Sequence, residues 1–316
     1  MTTCLIYGHN GLDLDVTFNL IAFYRKAGFS VFYADTLHDA DVLVVLRAVD
    51  KAIDLSPYNF SVIHVYDYGG WDYDSFIKSI DHSVSYIFCT SEEKRNRVID
   101  KTSFPESRIS VAFPPVAIKL WLADLKKNEF DIVHIGNYKP ITEADFYKEN
   151  FNRAIIDSKV HVWGLNWTGI VNNDLYHGKA GQFSVSGIYS KSACSFGLMY
   201  PFQRSVTFSG RFWHAPLNGC RLFSEPGVCT KNIPGVIETD YSAEDITQKI
   251  KDPAFNKQTI RAQALAFWTK ENAKIEQLTK ATFNLIKNKP NKTGKIKTYL
   301  FLTAKNRAVM LYHKMK

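Results

Sequence analysis

The sequence predicts an α/β protein with two mostly parallel sheets, and three observations carry that expectation. Short apolar runs alternate with helical patterns from Cys4 onward, at the spacing of β–α–β units. The alternation restarts at Phe130, after Pro114-Pro115 and a mixed, charged stretch. The segment 209–225, SGRFWHAPLNGCRLFSE, reads as a helix, a glycine turn and a buried strand. At 316 residues the chain is long enough for two domains of ordinary size. The expected division is a Rossmann-like domain over 1–120, a second over 125–286, and a basic tail over 287–316.

In the first half, residues 4–7 form an apolar strand, and GHNGLDLD leads into a helical pattern through Phe18, Ile21 and Tyr24 that stops at Gly28. Strands follow at 29–33, 41–46, 62–66, 84–89 and 109–113. Thr90-Ser91-Glu92-Glu93 supplies a hydroxyl cap and early acids for a helix running to about Lys101. The first turn holds two glycines but not G-x-G-x-x-G, which argues against a dinucleotide-gripping hydride-transfer enzyme. Ligands of open α/β sheets gather beyond the carboxyl ends of the strands. His9, Asn10, Asp13, Asp67, Tyr68 and Trp71 therefore face one crevice, although any one of them is equally well read as a turn residue.

In the second half, the strand 130–136 empties into HIGNYKP, where Gly136 and Asn137 offer backbone N–H groups and Lys139 a positive charge. The strand 160–163 leads to Gly164-Leu165-Asn166-Trp167; Trp167 either stacks on a ligand ring or is core. Tyr189 lies in a polar stretch before a strand at 195–199, and Arg204 sits in the connection that follows. Arg211 and His214 fall on the helix of the central segment, Asn218-Gly219 at its stop, and Glu225 just past its strand. A strand at 235–237, a Ser242-capped helix over 243–251 and a helix over 256–286 close the domain.

The central segment resembles the sugar-nucleotide signature of group-1 glycosyltransferases of the GT-B fold, particularly the spore-maturation-protein-like branch. That pattern is roughly R-x-F-E-x-x-A-C-G, an apolar run and an acid. Arg211, Trp213, Asn218-Gly219 and Glu225 fall where it wants them, whereas His214 stands at the place of a glutamate. The resemblance covers about 130–286. It implies two Rossmann-like domains across a cleft, and transfer of a hexose-type sugar from a nucleotide sugar, UDP- or GDP-linked, to a glycan or lipid-linked acceptor in surface polysaccharide assembly such as lipopolysaccharide or capsule. It also implies that Gly136, Asn137, Lys139, Gly164, Trp167, Tyr189, Arg204, Arg211, His214, Asn218, Gly219 and Glu225 hold the donor. His9 and Asp67 are the candidates for acceptor deprotonation. The alternative is a GT-B-like scaffolding subunit without turnover, motivated by His214.

No Asp-x-Asp flanked by apolar strands is present; Asp13-Leu14-Asp15 matches the letters at a helix start. The expectation is metal-independent transfer, with arginine, lysine and helix N-termini stabilising the leaving diphosphate and no cofactor beyond the co-substrate. Five cysteines without paired spacing read as reduced thiols of a cytoplasmic protein. The N-terminus enters a strand at once, so no signal peptide is expected, and no run is long enough to span a bilayer. The formal charge is +8, and nine of the 39 basic residues lie in 287–316 with no acid, leaving 30 against 31 acids elsewhere. The body is neutral, which disfavours nucleic acid as a partner. Leu300, Ala304, Ala308, Leu311 and Met315 share one face of a helical tail. That tail either attaches to the anionic inner surface of the cytoplasmic membrane, at about 1 kcal/mol per basic residue, or packs back on the first domain.

Overall fold

The computed structural model describes residues 2–8, 14–34, 37–46, 58, 60–65, 85–102, 104–138, 145–199, 209–227, 232–250 and 256–287. His9, Asn10, Asp13, Asp67, Tyr68, Trp71, Lys139, Arg204 and the tail from 288 lie outside these residues. The chain divides into two compact units, 1–117 with 271–316, and 118–270. The first boundary falls in the stretch where the composition changes. The second splits the last long helix, because its C-terminal part belongs with the first unit: Asn272 pairs with both the N–H and the C=O of Val116, and Glu276 pairs with Lys26.

The first unit is a six-stranded parallel sheet in the order β2-β1-β3-β4-β5-β6. Its strands are β1 (Thr3–Gly8), β2 (Ser30–Ala34), β3 (Val42–Leu46), β4 (Phe60–Val65), β5 (Tyr86–Cys89) and β6 (Ile109–Val111). Helix α1 (Leu14–Lys26) ends at Gly28, whose φ of 94° is the left-handed conformation that a β-carbon would resist. Helix α2 (Glu92–Lys101) is capped by Ser91, which accepts from the Lys94 N–H. Leu5, Leu43, Val45, Ile63, Val65 and Ile87 build the core.

The second unit is a five-stranded parallel sheet in the order β11-β10-β9-β7-β8, from β7 (Phe130–Ile135), β8 (His161–Trp163), β9 (Ser192–Phe196), β10 (Arg221–Ser224) and β11 (Val236–Glu238). A short helix, α3 (Ile118–Trp121), precedes β7, and α4 (Phe146–Asp157) follows it; then come α5 (Val185–Ser190), α6 (Arg211–Leu217), α7 (Ala243–Ile250) and the long α8 (Lys257–Lys287). The sequence expectation placed β9 at 195–199. The strand starts three residues earlier because its polar side chains are satisfied inside the fold: Ser192 Oγ donates to the Ile188 carbonyl and Cys194 Sγ to that of Asp131. A serine-rich run can therefore occupy a buried position between β7 and β10. Arg221, in the wholly buried β10, is held by the last carbonyls of α7, Lys249 and Ile250.

Candidate functional site

The strand order of the second unit reverses between β7 and β9, which lie side by side although β8 falls between them in sequence. The chains leaving the carboxyl ends at such a switch point part to opposite sides of the sheet and leave a crevice. A cavity of about 220 Å³ occupies that position. It is lined by Asn137 and Tyr138 after β7, Leu198 after β9, Arg211 at the start of α6, Lys148, Phe151 and Asn152 on α4, and the rings of His134 and Trp167.

Arg211 spans the crevice. Its Nε donates to the Ile135 carbonyl at 3.1 Å and its Nη1 to the Leu198 carbonyl at 3.2 Å, so the ends of β7 and β9 hold the guanidinium from both sides. Neither partner is a carboxylate, so the positive charge is positioned without being neutralised. Lys148, also on the cavity wall, adds a second cation from the first turn of α4, where the Asp145 carboxylate caps the Lys148 N–H at 2.9 Å.

His134 contributes the opposite character. Its Nδ1 lies 2.9 Å from the Phe196 carbonyl, which can only accept, so this nitrogen carries the proton and Nε2 is left as an acceptor. Burial, reinforced by the Arg211 charge, lowers its pKa to about 3 despite that hydrogen bond, so the ring is neutral.

The turns after β7 and β8 are locked together. Gly136 N–H donates to Trp163 O, Tyr138 N–H to Leu165 O, Leu165 N–H to Asn137 Oδ1, and Trp167 Nε1–H to Gly136 O at 2.7 Å. These bonds bear on two expectations. The Gly136 amide is engaged by the neighbouring turn and is not offered to a ligand. Trp167 is 1% exposed and its indole N–H is held by the Gly136 carbonyl, so of its two readings, stacking on a ligand ring or core, the core reading fits and it braces the turn.

Other expected site residues lie beneath the cavity or away from it. Glu225 is fully buried; one carboxylate oxygen accepts from Met199 N–H at 2.6 Å and the other from Ser224 Oγ, so it fixes the chain leaving β9 instead of meeting ligand hydroxyls. Asn218 accepts from the Ala123 N–H and donates to the Trp121 and His214 carbonyls, joining the end of α6 to the segment around α3. Gly219 has φ 71°, and a β-carbon there would lie 2.9 Å from the Lys257 carbonyl, so its role is to stop the helix. His214 is buried edge-to-face on Trp121, ring centres 4.6 Å apart. Tyr189 is buried, its hydroxyl pKa raised by desolvation. Of the expected donor residues, Asn137, Trp167 and Arg211 are brought to the cavity, with Gly136 and Gly164 in the turns behind it.

Sequence reasoning passed over His134, Tyr138, Lys148 and Asn152. A signal existed for some of them: His134 interrupts an apolar strand just before a glycine turn, and Lys148 and Asn152 are four apart on one helix face.

No family model matches the chain, and no curated protein matches it in sequence. Solved structures do match in shape. Anabaena HepE, crystallised with UDP and glucose, superposes with a TM-score of 0.61 at 11% identity, over 90% of this chain and 100% of its own. AviGT4, a glycosyltransferase of avilamycin A biosynthesis, gives 0.61 at 11% identity, over 92% and 99%. The sucrose-phosphate synthase of Thermosynechococcus elongatus gives 0.64 at 10% identity, over 90% and 100%. This chain's two parallel-sheet α/β units and these likenesses agree on one fold. The fold is GT-B. The GT-B likeness extends over the first unit, where the sequence resemblance did not reach, since about nine-tenths of the chain is covered in each comparison.

Proposed function

We propose that the protein is a glycosyltransferase that moves a sugar from a nucleotide-sugar donor to a glycan or lipid-linked acceptor. The observation that carries this reading is Arg211, a cation fixed by the carbonyls of Ile135 and Leu198 in a switch-point cavity, with Lys148 on the same wall. Transfer from a nucleotide sugar leaves a nucleoside diphosphate, and prearranged cations beside the leaving phosphate lower the barrier most because they need no reorganisation. Arg211 and Lys148 are assigned to the diphosphate, joined by Lys139 and Arg204 on the grounds of the sequence resemblance; this assignment makes the transfer metal-independent. His9 and Asp67 are the candidate bases for the acceptor hydroxyl if the reaction inverts.

The neighbours support the donor class: HepE was crystallised with UDP-glucose as well as with UDP and glucose. They do not fix the acceptor, because one is a sucrose-phosphate synthase and another is involved in avilamycin A biosynthesis. A role in surface polysaccharide assembly at the inner membrane face, with the basic tail as the anchor, is the reading that best uses the charge concentrated in 287–316. One observation favours the scaffolding alternative: His214, at the place of the signature glutamate, is buried against Trp121 and does not line the cavity.

A thermal-shift titration with UDP-, GDP-, ADP-, TDP- and CMP-sugars tests the proposal on wild type and Arg211→Ala. A ligand at a hundredfold over its Kd adds about 2.7 kcal/mol to the folded state. The expected result is a shift with one nucleotide class that Arg211→Ala abolishes. Absence of any shift at several millimolar donor would reject it in favour of a non-catalytic subunit.

A further inference from the structure

Two groups of opposite hydrogen-bonding character meet at one point of the cavity. A β-carbon placed on Gly136 would lie 2.8 Å from Arg211 Nη2 and 2.8 Å from His134 Nε2, so the absence of a side chain there lets both groups converge on Gly136, and both residues line the cavity. Arg211 presents only donors there: Nε and one N–H of Nη1 serve the Ile135 and Leu198 carbonyls, one N–H of Nη2 faces the point beside His134, and the remaining two N–H groups are left for the diphosphate. His134 presents only an acceptor there, since its Nδ1 proton is committed to the Phe196 carbonyl.

The two do not satisfy each other: the Arg211 hydrogen bonds go to the two strand-end carbonyls and the His134 hydrogen bond to a third. The Arg211 charge also opposes protonation of the ring, which keeps Nε2 an acceptor over the physiological range. The neighbours of the ring are aromatic: Phe151 and Trp167 pack edge-on at 5.1 and 5.5 Å and bring no competing donor.

A phosphate oxygen would suit Arg211 but repel the lone pair of Nε2, and an ammonium would suit Nε2 but repel the guanidinium. A hydroxyl satisfies both, accepting from one side and donating to the other. We propose that His134 and Arg211 together read one hydroxyl of the ligand, its oxygen accepting from Arg211 Nη2 and its hydrogen donated to His134 Nε2. This rests on the reading of the cavity as the nucleotide-sugar site, and it makes His134 a specificity-determining residue that the signature motif does not contain. A site built on such a pair discriminates strongly against the analogue that lacks the hydroxyl, because both protein groups are then left unpaired.

The hydroxyl belongs either to the ribose or to the transferred sugar, and calorimetric titration separates the two. UDP-glucose and GDP-mannose are titrated into wild type, His134→Phe and His134→Gln, followed by the 2′-deoxyribose and hexose-deoxy analogues of whichever binds. His134→Phe keeps a ring against Phe151 and Trp167 but has no acceptor; His134→Gln keeps an acceptor. We expect a single deoxy analogue to bind wild type at least 10-fold more weakly than its parent. His134→Phe should bind parent and analogue alike, with His134→Gln recovering part of the preference. A deoxyribose response assigns the pair to the nucleoside and a deoxyhexose response to the sugar. If wild type binds its donor yet His134→Phe discriminates between parent and analogue as wild type does, or weakens both equally, the hydroxyl-reading pair is wrong while the donor site stands. If wild type binds neither nucleotide sugar, the donor-site reading fails and this inference falls with it.

Discussion

The carbonyl oxygen of Gly136 lies 1.9 Å from where a β-carbon on Gly164 would be. That oxygen is also the acceptor of the Trp167 indole N–H at 2.7 Å, and Gly164 itself has φ 151°. One missing side chain thus allows the turns after β7 and β8 to touch, and that contact sets the back wall of the cavity. Gly164→Ala requires both a positive φ that a β-carbon resists and displacement of the Gly136 carbonyl, so it should cost on the order of 3 kcal/mol. Urea unfolding would measure this, together with a matching loss of donor affinity. An alanine variant of unchanged stability would show that the turns are not held as described.

A second prediction concerns Asn218, which the sequence offered as a donor-binding residue. Its amide is fully buried and makes three bonds, to Ala123 N–H, Trp121 O and His214 O. Asn218→Ala should lose roughly 2–4 kcal/mol, because three buried backbone groups lose a partner. Asn218→Asp should be at least as damaging, since a carboxylate accepts from Ala123 N–H but repels both carbonyls. Donor affinity measured well below the unfolding transition should change little in either variant. A large affinity loss in a stably folded Asn218→Ala would return this residue to the ligand.

The architecture was legible because most strands, such as β1, β3, β4 and β5, are apolar runs bounded by turn signals. Gly28 and Gly219 take the positive φ expected of helix-stopping glycines, and Ser91 and Ser242 cap the helices they precede. What sequence could not weigh was satisfaction of polar groups inside the fold. The 192–194 stretch looked like a polar connection and is strand because its hydroxyl and thiol find carbonyls nearby. The same limit governs the site. Motif spacing finds Arg211, but it cannot tell a carboxylate that faces a ligand from one, like Glu225, that holds Met199 N–H. Nor can it show that His134, an odd polar residue in an apolar strand, ends beside Arg211, since the pair is 77 positions apart and is joined only by the β7–β9 crossover.

The thiols give a third prediction. Cys4, Cys89, Cys194 and Cys220 are free and buried, and burial pushes the Cys89 and Cys194 thiols up to about 12. A buried thiol of raised pKa presents almost no thiolate at pH 8 and reacts only when the structure opens. Of the five cysteines, these four should resist Ellman's reagent in the native protein and react together in denaturant, leaving Cys229 as the one candidate for fast reaction. Two or more fast thiols under native conditions would contradict the packing of β1, β5 and β9.

The last prediction follows from two histidines kept neutral by burial, one in each unit. His64 lies on β4, fully buried, its ring stacked on Phe88 at 5.0 Å and its Nε2 3.2 Å from the Tyr24 hydroxyl; its pKa is lowered to about 3 by desolvation. His134 is lowered to about 3 by burial and the Arg211 charge. Both folded pKa values lie below the unfolded value of about 6.5, so between roughly pH 6.5 and 3 the unfolded chain binds a proton that the folded one refuses. Stability is therefore lost as the pH falls through 6.5, and the loss stops growing near 3. At pH 5 each histidine should account for about 2 kcal/mol relative to pH 7.5. Urea unfolding at the two pH values, read as a difference within each protein, should show a smaller loss in His64→Gln, acting on the first unit, and in His134→Gln, acting on the second. An acid-dependent loss as large in both variants as in wild type would mean that neither ring is held neutral, and it would also remove the acceptor that His134 is assigned in the cavity.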